Sequence, residues 1–123
     1  MKKFAIMSLF AVLSTIFGCS AQGFVSVEAD EFAREIAKKE VQLVDVRTAA
    51  EYAEGHIPNA VNIDVYSSDF AEKIAALDKN QTLAIYCRSG RRSKSAAQQA
   101  VNLGFKVVEL DGGVLSWRGK LVR

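Results

Sequence analysis

Short apolar runs alternate with helical patterns along most of the chain. The runs of strand length lie at 24–27, 42–46, 60–63, 82–86 and 106–110. The segments with apolar residues at helical spacing lie at 29–39, 49–53, 70–77 and 93–103. Strands that alternate with helices favour a parallel sheet, because each parallel neighbour is reached through a crossover connection. The pattern therefore predicts an α/β domain at 24–123 whose sheet is covered by helices on both faces.

The first 18 residues have the pattern of a secretory signal peptide. Met1-Lys2-Lys3 is cationic, and residues 4–17 carry no charge. A cationic start followed by an apolar stretch that is short for a membrane span is typical of such a signal. A buried N-terminal helix is the alternative, but it would show a polar face, and this stretch offers only three hydroxyl side chains. The sequence therefore favours export.

The end of this leader resembles a lipoprotein processing site. Ile16-Phe17-Gly18-Cys19 is similar to the lipobox of bacterial lipoproteins, although Phe17 stands where a smaller residue is usual. The resemblance implies cleavage before Cys19, a lipid on its thiol and a short tether at 19–23. Ser20 after the cysteine implies, by the same resemblance, that the protein is not held at the inner membrane. We therefore expect a periplasmic protein that is lipid-anchored to the outer membrane.

Ordinary cleavage after Ala21 is the alternative route, and it would leave a soluble protein that begins at Gln22. Either route also removes Lys2 and Lys3. The 16 basic residues then fall to 14 against 14 acidic ones, so the charge of the mature protein is about zero. The balance gives no support to a nucleic-acid partner. Removing 18 of 123 residues leaves 105, which is the size of one domain with one core.

The chain has only two cysteines, Cys19 and Cys87, and one histidine, His56. Because Cys19 is either lipidated or cut away, the folded domain has a single thiol and no internal disulfide. One cysteine and one histidine do not make a ligand set for a metal ion, so no metal is expected. A lone thiol is either an inert core residue or a reactive nucleophile.

The position of Cys87 favours the reactive alternative. It follows the predicted strand at 82–86 and precedes the predicted helix at 93–103. Open α/β sheets bind their ligands at the carboxyl ends of their strands. The sequence therefore places this thiol where a substrate would bind.

The residues after Cys87 favour its thiolate form. Gly90 permits a backbone conformation closed to other residues, so the amides of 88–93 can curl around the sulfur. The helix that begins near Ser93 adds its positive end. The cationic side chains of the loop are those of Arg88, Arg91 and Arg92. An inert buried cysteine would have apolar neighbours instead, so the loop indicates a nucleophile.

Three motifs, in order along the chain, resemble those of the rhodanese family. Cys87-Arg88-Ser89-Gly90-Arg91-Arg92-Ser93 is similar to the family's active-site loop. The family's N-terminal signature resembles Asp45-Val46-Arg47, Glu51-Tyr52 and Gly55-His56-Ile57-Pro58-Asn59-Ala60 of this chain. Its C-terminal signature is similar to Gly112-Gly113-Val114 with Trp117. The resemblance covers about 25–117, and in size and export signal the chain is most similar to single-domain periplasmic rhodaneses.

The resemblance implies a five-stranded parallel sheet and a two-step sulfur relay without a metal or organic cofactor. The thiolate of Cys87 would attack the outer sulfur of thiosulfate and release sulfite, and cyanide or a thiol would then attack the persulfide. The residues implied to bind the substrate are Arg88, Ser89, Gly90, Arg91, Arg92 and Ser93, whose amides would hold the negative charge. The physiological acceptor and the oligomeric state stay open.

The N-terminal signature supplies three supporting candidates. Asp45 and Arg47 could orient the loop, or an ion pair of Arg47 with Glu51 or a loop carboxylate could simply hold the fold. His56 could be a base for the thiol, or it could belong to the turn before the third strand. A thiolate that is stabilised by amides does not need a base.

The loop arginines favour thiosulfate as donor, because it is a compact dianion. By resemblance, family members that prefer 3-mercaptopyruvate carry small neutral residues in place of Arg88 and Arg91. The alternative is that these side chains point to solvent or toward Asp45 and Glu51, so that only amides meet the substrate.

Two other functions use similar parts. Cysteine-dependent phosphatases and arsenate reductases combine a cysteine, a ring of amides and an arginine, but they place one more residue between the cysteine and the arginine than the four that separate Cys87 from Arg92. Some rhodanese-like domains are non-catalytic binding modules, and those commonly lack the cysteine. The tight loop and the retained thiol favour sulfur transfer.

Overall fold

The structure is a computed structural model, and it describes residues 23–123. The predicted leader and Cys19 lie outside the described residues. The strands are β1 (Val25–Val27), β2 (Val41–Asp45), β3 (Val61–Asn62), β4 (Thr82–Tyr86) and β5 (Val107–Leu110). The helices are α1 (Ala29–Ile36), α2 (Ala49–Glu54), α3 (Phe70–Ala75) and α4 (Arg91–Asn102), followed by a 3-10 helix at Gly113–Ser116. None of the helices in this described part is long and apolar enough to cross a membrane.

The five strands form one parallel sheet in the order β1-β5-β4-β2-β3, so the predicted fold class is confirmed. The strand β4 lies at the centre, and its alternating side chains reach both faces. Leu83 and Ile85 join an apolar cluster with residues of α3 and α4. Ala84 and Tyr86 join a second cluster with Phe32 of α1 on the opposite face. Helices on both faces thus bury the middle strand, as a parallel sheet requires.

The element boundaries differ from the predicted ones mainly at turns. The helix α4 begins at Arg91 rather than Ser93, because Gly90 takes up a left-handed conformation (φ 102°) and the helix starts directly after it. The strand β3 has only two residues, and it lies at an edge of the sheet. The helix α1 ends at Ile36, three residues before the predicted end at Lys39. The 3-10 helix after β5 was not predicted, and it contributes directly to the site.

Candidate active site

Cys87 directly follows the central strand, at the carboxyl end of the sheet. The residue is fully buried, and its Sγ atom accepts hydrogen bonds from the amides of Gly90 at 3.1 Å and Ser93 at 3.2 Å. The left-handed conformation of Gly90 turns the chain so that both amides face the sulfur. Part of the surroundings is apolar, since Cys87 also belongs to the core cluster on the face of the sheet that is covered by α3 and α4. The sulfur itself is nevertheless met by two polar donors, which an inert core cysteine does not need.

The amide of Ser93 belongs to the first turn of α4, where amides have no partner within the helix. This helix has 12 residues, so the positive end of a full helix dipole faces the sulfur. Both effects stabilise negative charge on Sγ. The geometry therefore places two amide donors and the positive end of α4 at the sulfur.

The 3-10 helix holds the loop from the other side. The amide of Val114 donates to the carbonyl of Cys87 at 2.9 Å, and the amide of Leu115 donates to the carbonyl of Arg88 at 3.1 Å. Because these carbonyls are bound on the outside of the turn, the amides that follow can point inward. Gly113 makes the approach possible, since a Cβ atom there would lie 2.2 Å from the carbonyl oxygen of Arg88.

The three loop arginines differ in their contacts. Arg92 forms a two-pronged ion pair with Glu51 of α2, with distances of 2.8 and 3.0 Å between guanidinium nitrogens and carboxylate oxygens. Arg88 and Arg91 are exposed, and within residues 23–123 neither is recorded in an ion pair. The alternative that arginine side chains turn away toward Glu51 is therefore correct for Arg92 alone.

The expected ion pair between Arg47 and Glu51 is wrong, because Glu51 is bound by Arg92 instead. The Arg92 guanidinium, with further help from Thr48 at the start of α2, lowers the pKa of the Glu51 carboxyl to about 2. Thr48 and Glu51 also form a reciprocal capping box at that helix start. The capping box thus holds the Glu51 side chain in the position where it binds Arg92.

Arg47 binds Asp45 in a buried ion pair. The distance between Arg47 Nη2 and Asp45 Oδ2 is 2.7 Å, and the same nitrogen donates to the carbonyl of Gly55 at 2.7 Å. The Asn62 side-chain amide donates to the main-chain carbonyls of Asp45 and Arg47. Burial, and then the Asp45 carboxylate, raise the pKa of the neighbouring Tyr86. In the described part of the chain no hydrogen bond joins the Asp45–Arg47 pair to 88–93. The pair instead ties the end of β2 to Gly55, while the Asn62 side chain joins the ends of β2 and β3.

His56 lies in the turn before β3. Its Nδ1 is 2.9 Å from the carbonyl of Tyr52, and its ring stacks on the Tyr52 ring with centroids 3.7 Å apart. Its main chain pairs with Val122 through two hydrogen bonds of 2.9 Å. Within residues 23–123, His56 forms no hydrogen bond with Cys87, so it is not placed to act as a base for the thiol.

Glu109 is a polar neighbour of the site that the sequence analysis missed. It lies on β5 and is fully buried, and its Oε2 accepts a hydrogen bond of 2.5 Å from the hydroxyl of Ser93. That hydroxyl is in turn 3.4 Å from the Cys87 sulfur. The signal in the sequence was an acidic residue inside an otherwise apolar strand.

Comparison with known proteins agrees with this geometry. Residues 28–120 match the family described as the rhodanese-like domain, which is most of the chain. The chain belongs to the rhodanese family.

Two sequence relatives and one solved structure illustrate how close the match is. YtwF of Bacillus subtilis is 40% identical over 94 residues, which cover 76% of this chain and 82% of that protein. Thiosulfate sulfurtransferase GlpE of Pseudomonas aeruginosa is 40% identical over 91 residues, covering 73% of this chain and 81% of the relative. The crystal structure of a rhodanese-related protein from Thermoplasma volcanium has a TM-score of 0.72 at 29% identity, and the match covers 80% of this chain and 98% of that one.

The three motifs of this rhodanese have different positions relative to the sulfur. The loop that begins at Cys87 surrounds it, and Gly113 of the C-terminal motif packs against that loop. The N-terminal motif contributes Glu51, which binds Arg92 of the loop, whereas Asp45 and Arg47 bind each other. The active-site loop and the C-terminal motif therefore shape the site directly. Of the N-terminal motif, Glu51 contacts the loop, and the buried Asp45–Arg47 pair lies at the end of β2.

Proposed function

We propose that this rhodanese is a thiosulfate sulfurtransferase that carries sulfane sulfur as a persulfide on Cys87. The observation that carries the proposal is the pair of amides, of Gly90 and Ser93, that donate to the buried Cys87 sulfur. Relatives named as sulfurtransferases support sulfur transfer in general. GlpE of Pseudomonas aeruginosa, which is named a thiosulfate sulfurtransferase, supports the choice of donor.

In the first step, the Cys87 thiolate attacks the outer sulfur of thiosulfate. A sulfur–sulfur bond forms to Cys87, and the sulfur–sulfur bond of thiosulfate breaks with its electron pair leaving on sulfite. In the second step, cyanide or a thiolate attacks the outer sulfur of the persulfide. The Cys87 thiolate then leaves with its electron pair, and the enzyme returns to its starting state.

The same amides serve both charged states. In the free enzyme they stabilise the thiolate, and in the loaded enzyme they can stabilise the negative outer sulfur of the persulfide. The exposed side chains of Arg88 and Arg91 would attract the thiosulfate dianion to the loop. A cavity of about 440 Å³ lies beside the loop, and its lining includes Ser89, Arg91 and Arg92. The acceptor would approach through this side.

The contacts of Arg92 argue against the phosphatase alternative. A phosphatase needs its loop arginine to bind the oxygens of a phosphate above the sulfur. Here both arms of the Arg92 guanidinium are bound by Glu51, at 2.8 and 3.0 Å. The loop therefore offers amides to a sulfur atom rather than an arginine to a phosphate.

Replacement of the sulfur tests the proposed function. We expect Cys87→Ser to abolish thiocyanate formation from thiosulfate and cyanide, because a hydroxyl occupies similar space but does not ionise at neutral pH. Asn102→Ala, at the exposed carboxyl end of α4 and away from the loop, is the control and should retain activity. Thermal unfolding of both variants would check the fold. Turnover by Cys87→Ser at a rate comparable with wild type would overturn the assignment.

A further inference from the structure

Glu109 is a carboxylate in the core, and the reaction proposed above does not use it. The residue lies on β5 with no exposed surface. Burying a carboxylate is costly unless it is paired and hydrogen-bonded. Its contacts therefore indicate what the charge is kept for.

Three side chains from two elements bind the Glu109 carboxylate. The Ser26 hydroxyl of β1 donates to Oε1 at 2.6 Å, in register across the sheet. The Ser93 hydroxyl of α4 donates to Oε2 at 2.5 Å. The ammonium of Lys94 lies 3.3 Å from Oε1 and also binds Asp111 at 2.9 Å. The short contact to Ser93 is the one that leads to the active site.

The position of the hydroxyl proton follows from the inventory of donors. An ionised carboxylate only accepts hydrogen bonds, so the single proton of the Ser93 hydroxyl points to Glu109. The same oxygen is 3.4 Å from the Cys87 sulfur. It can therefore only accept from a protonated Cys87 thiol. A continuous path from sulfur through Ser93 to Glu109 results.

We propose that Glu109 is the proton acceptor of Cys87, acting through the Ser93 hydroxyl. The sulfur–hydrogen bond of Cys87 breaks as a bond forms between that proton and Ser93 Oγ. The proton already on Ser93 passes to Glu109 Oε2. The products are a thiolate and a neutral carboxyl group, and the net charge of the site does not change. The inference rests on the proposed nucleophilic role of Cys87 but not on thiosulfate as donor.

The surrounding charges favour one shared proton. A thiolate beside an ionised Glu109 would place two negative charges at the two ends of one hydrogen-bonded chain, which is unfavourable. Lys94 on α4 compensates only in part, because it also binds Asp111 at the end of β5. Arg92 lies on the same helix but is paired with Glu51 of α2, and Ser26 of β1 carries no charge. We therefore expect the Cys87 thiol and the Glu109 carboxyl group to share one proton through Ser93.

The test is the rate of alkylation by iodoacetamide as a function of pH, which measures the thiolate directly. In the wild-type protein the coupled pair should give two steps, because a fraction of thiolate already forms when the first of the two protons leaves. Glu109→Gln keeps the size of the side chain and should show loss of the acidic step, leaving one. Asp111→Asn is the matched control, since Asp111 binds Lys94 but not Ser93, and it should keep two steps.

Ser93→Ala tests whether the hydroxyl connects the two groups, and it gives a second readout if Glu109→Gln does not fold. It removes the oxygen that lies between the sulfur and the carboxylate while leaving the carboxylate and the Ser93 main-chain amide in place, so the acidic step should become clearly smaller. An acidic step of wild-type size in Ser93→Ala, or superimposable profiles for wild type and Glu109→Gln, would overturn the proposal. If Glu109 had only a structural role, Glu109→Gln would lower the unfolding temperature and leave the pH profile of alkylation unchanged. If thiosulfate proved not to be the donor, this pH profile would be unaffected, so the two proposals can fail separately.

Discussion

The three arginines of the active-site loop differ in the partners that their side chains bind. Arg92 looks in the sequence like its neighbours Arg88 and Arg91, yet within residues 23–123 it alone of the three is bound to a carboxylate, that of Glu51. The sequence predicted a cationic loop, but it did not show which of the three arginines forms an ion pair. That pairing depends on α2, which reaches the loop only in the folded chain.

The two exposed arginines should therefore carry the attraction for thiosulfate. We expect Arg88→Ala combined with Arg91→Ala to raise KM for thiosulfate about tenfold, as for the loss of a charge-assisted contact, with a smaller effect on kcat. Steady-state kinetics at several salt concentrations would measure this, and the dependence on salt should flatten in the variant. Arg118→Ala, an exposed arginine that pairs with Asp30, is the control. Unchanged thiosulfate kinetics in the double variant would mean that amides alone meet the donor.

At the scale of elements, the pattern of the sequence predicted each of the five strands and four α-helices that the structure describes at 23–123. The run at 82–86 was correct to the residue, because an apolar run of strand length that is ended by the polar loop at 87–93 leaves little freedom. The 3-10 helix at Gly113–Ser116 was missed, since four residues show no period. Yet this helix holds the loop through two hydrogen bonds to the carbonyls of Cys87 and Arg88.

Gly113 should be the most sensitive position of this helix. We expect Gly113→Ala to destabilise the fold by about 2–5 kcal/mol, because the added methyl meets the main chain of the loop and the φ of 65° is unfavourable for alanine. Sulfur transfer should fall as well. Gly104→Ala is the control, since it shares a left-handed φ but meets only the side chain of Lys79 at 3.8 Å, and it should cost about 1–2 kcal/mol. Equal losses in urea unfolding would show that the close approach at Gly113 is not tight.

The ion pair between α2 and α4 should make stability depend on pH. The pKa of Glu51 is lowered from 4.5 to about 2, so its contribution is complete above pH 4.5 and is lost as the pH falls toward 2. Because both side chains are partly exposed, we expect Glu51→Gln to cost only about 1–2 kcal/mol at pH 7. Urea unfolding at pH 7 and pH 3 would show the difference from wild type shrinking at the lower pH. Glu31→Gln, on the exposed face of α1, should show little of this, and a constant difference for Glu51→Gln would contradict the prediction.

At the scale of the whole molecule, strand order brings together residues that are distant in sequence. Ser26 and Glu109 are 83 positions apart and become neighbours because β1 pairs with β5. The family motifs predicted the loop and its cysteine. They gave no sign of Glu109, because its role depends on which strand lies beside the last one and on the helix that crosses above it. Buried polar contacts of this kind follow from tertiary structure rather than from local pattern.

The central claim is that Cys87 itself carries the transferred sulfur, and intact mass measurement tests it most directly. It is the only free cysteine in the described part of the chain. The purified protein should gain the mass of one sulfur atom after thiosulfate is added, and it should lose that mass again with cyanide. Cys87→Ser should show neither change. An unchanged mass in the wild-type protein with every sulfane-sulfur donor tried, or the same gain in Cys87→Ser, would contradict the account.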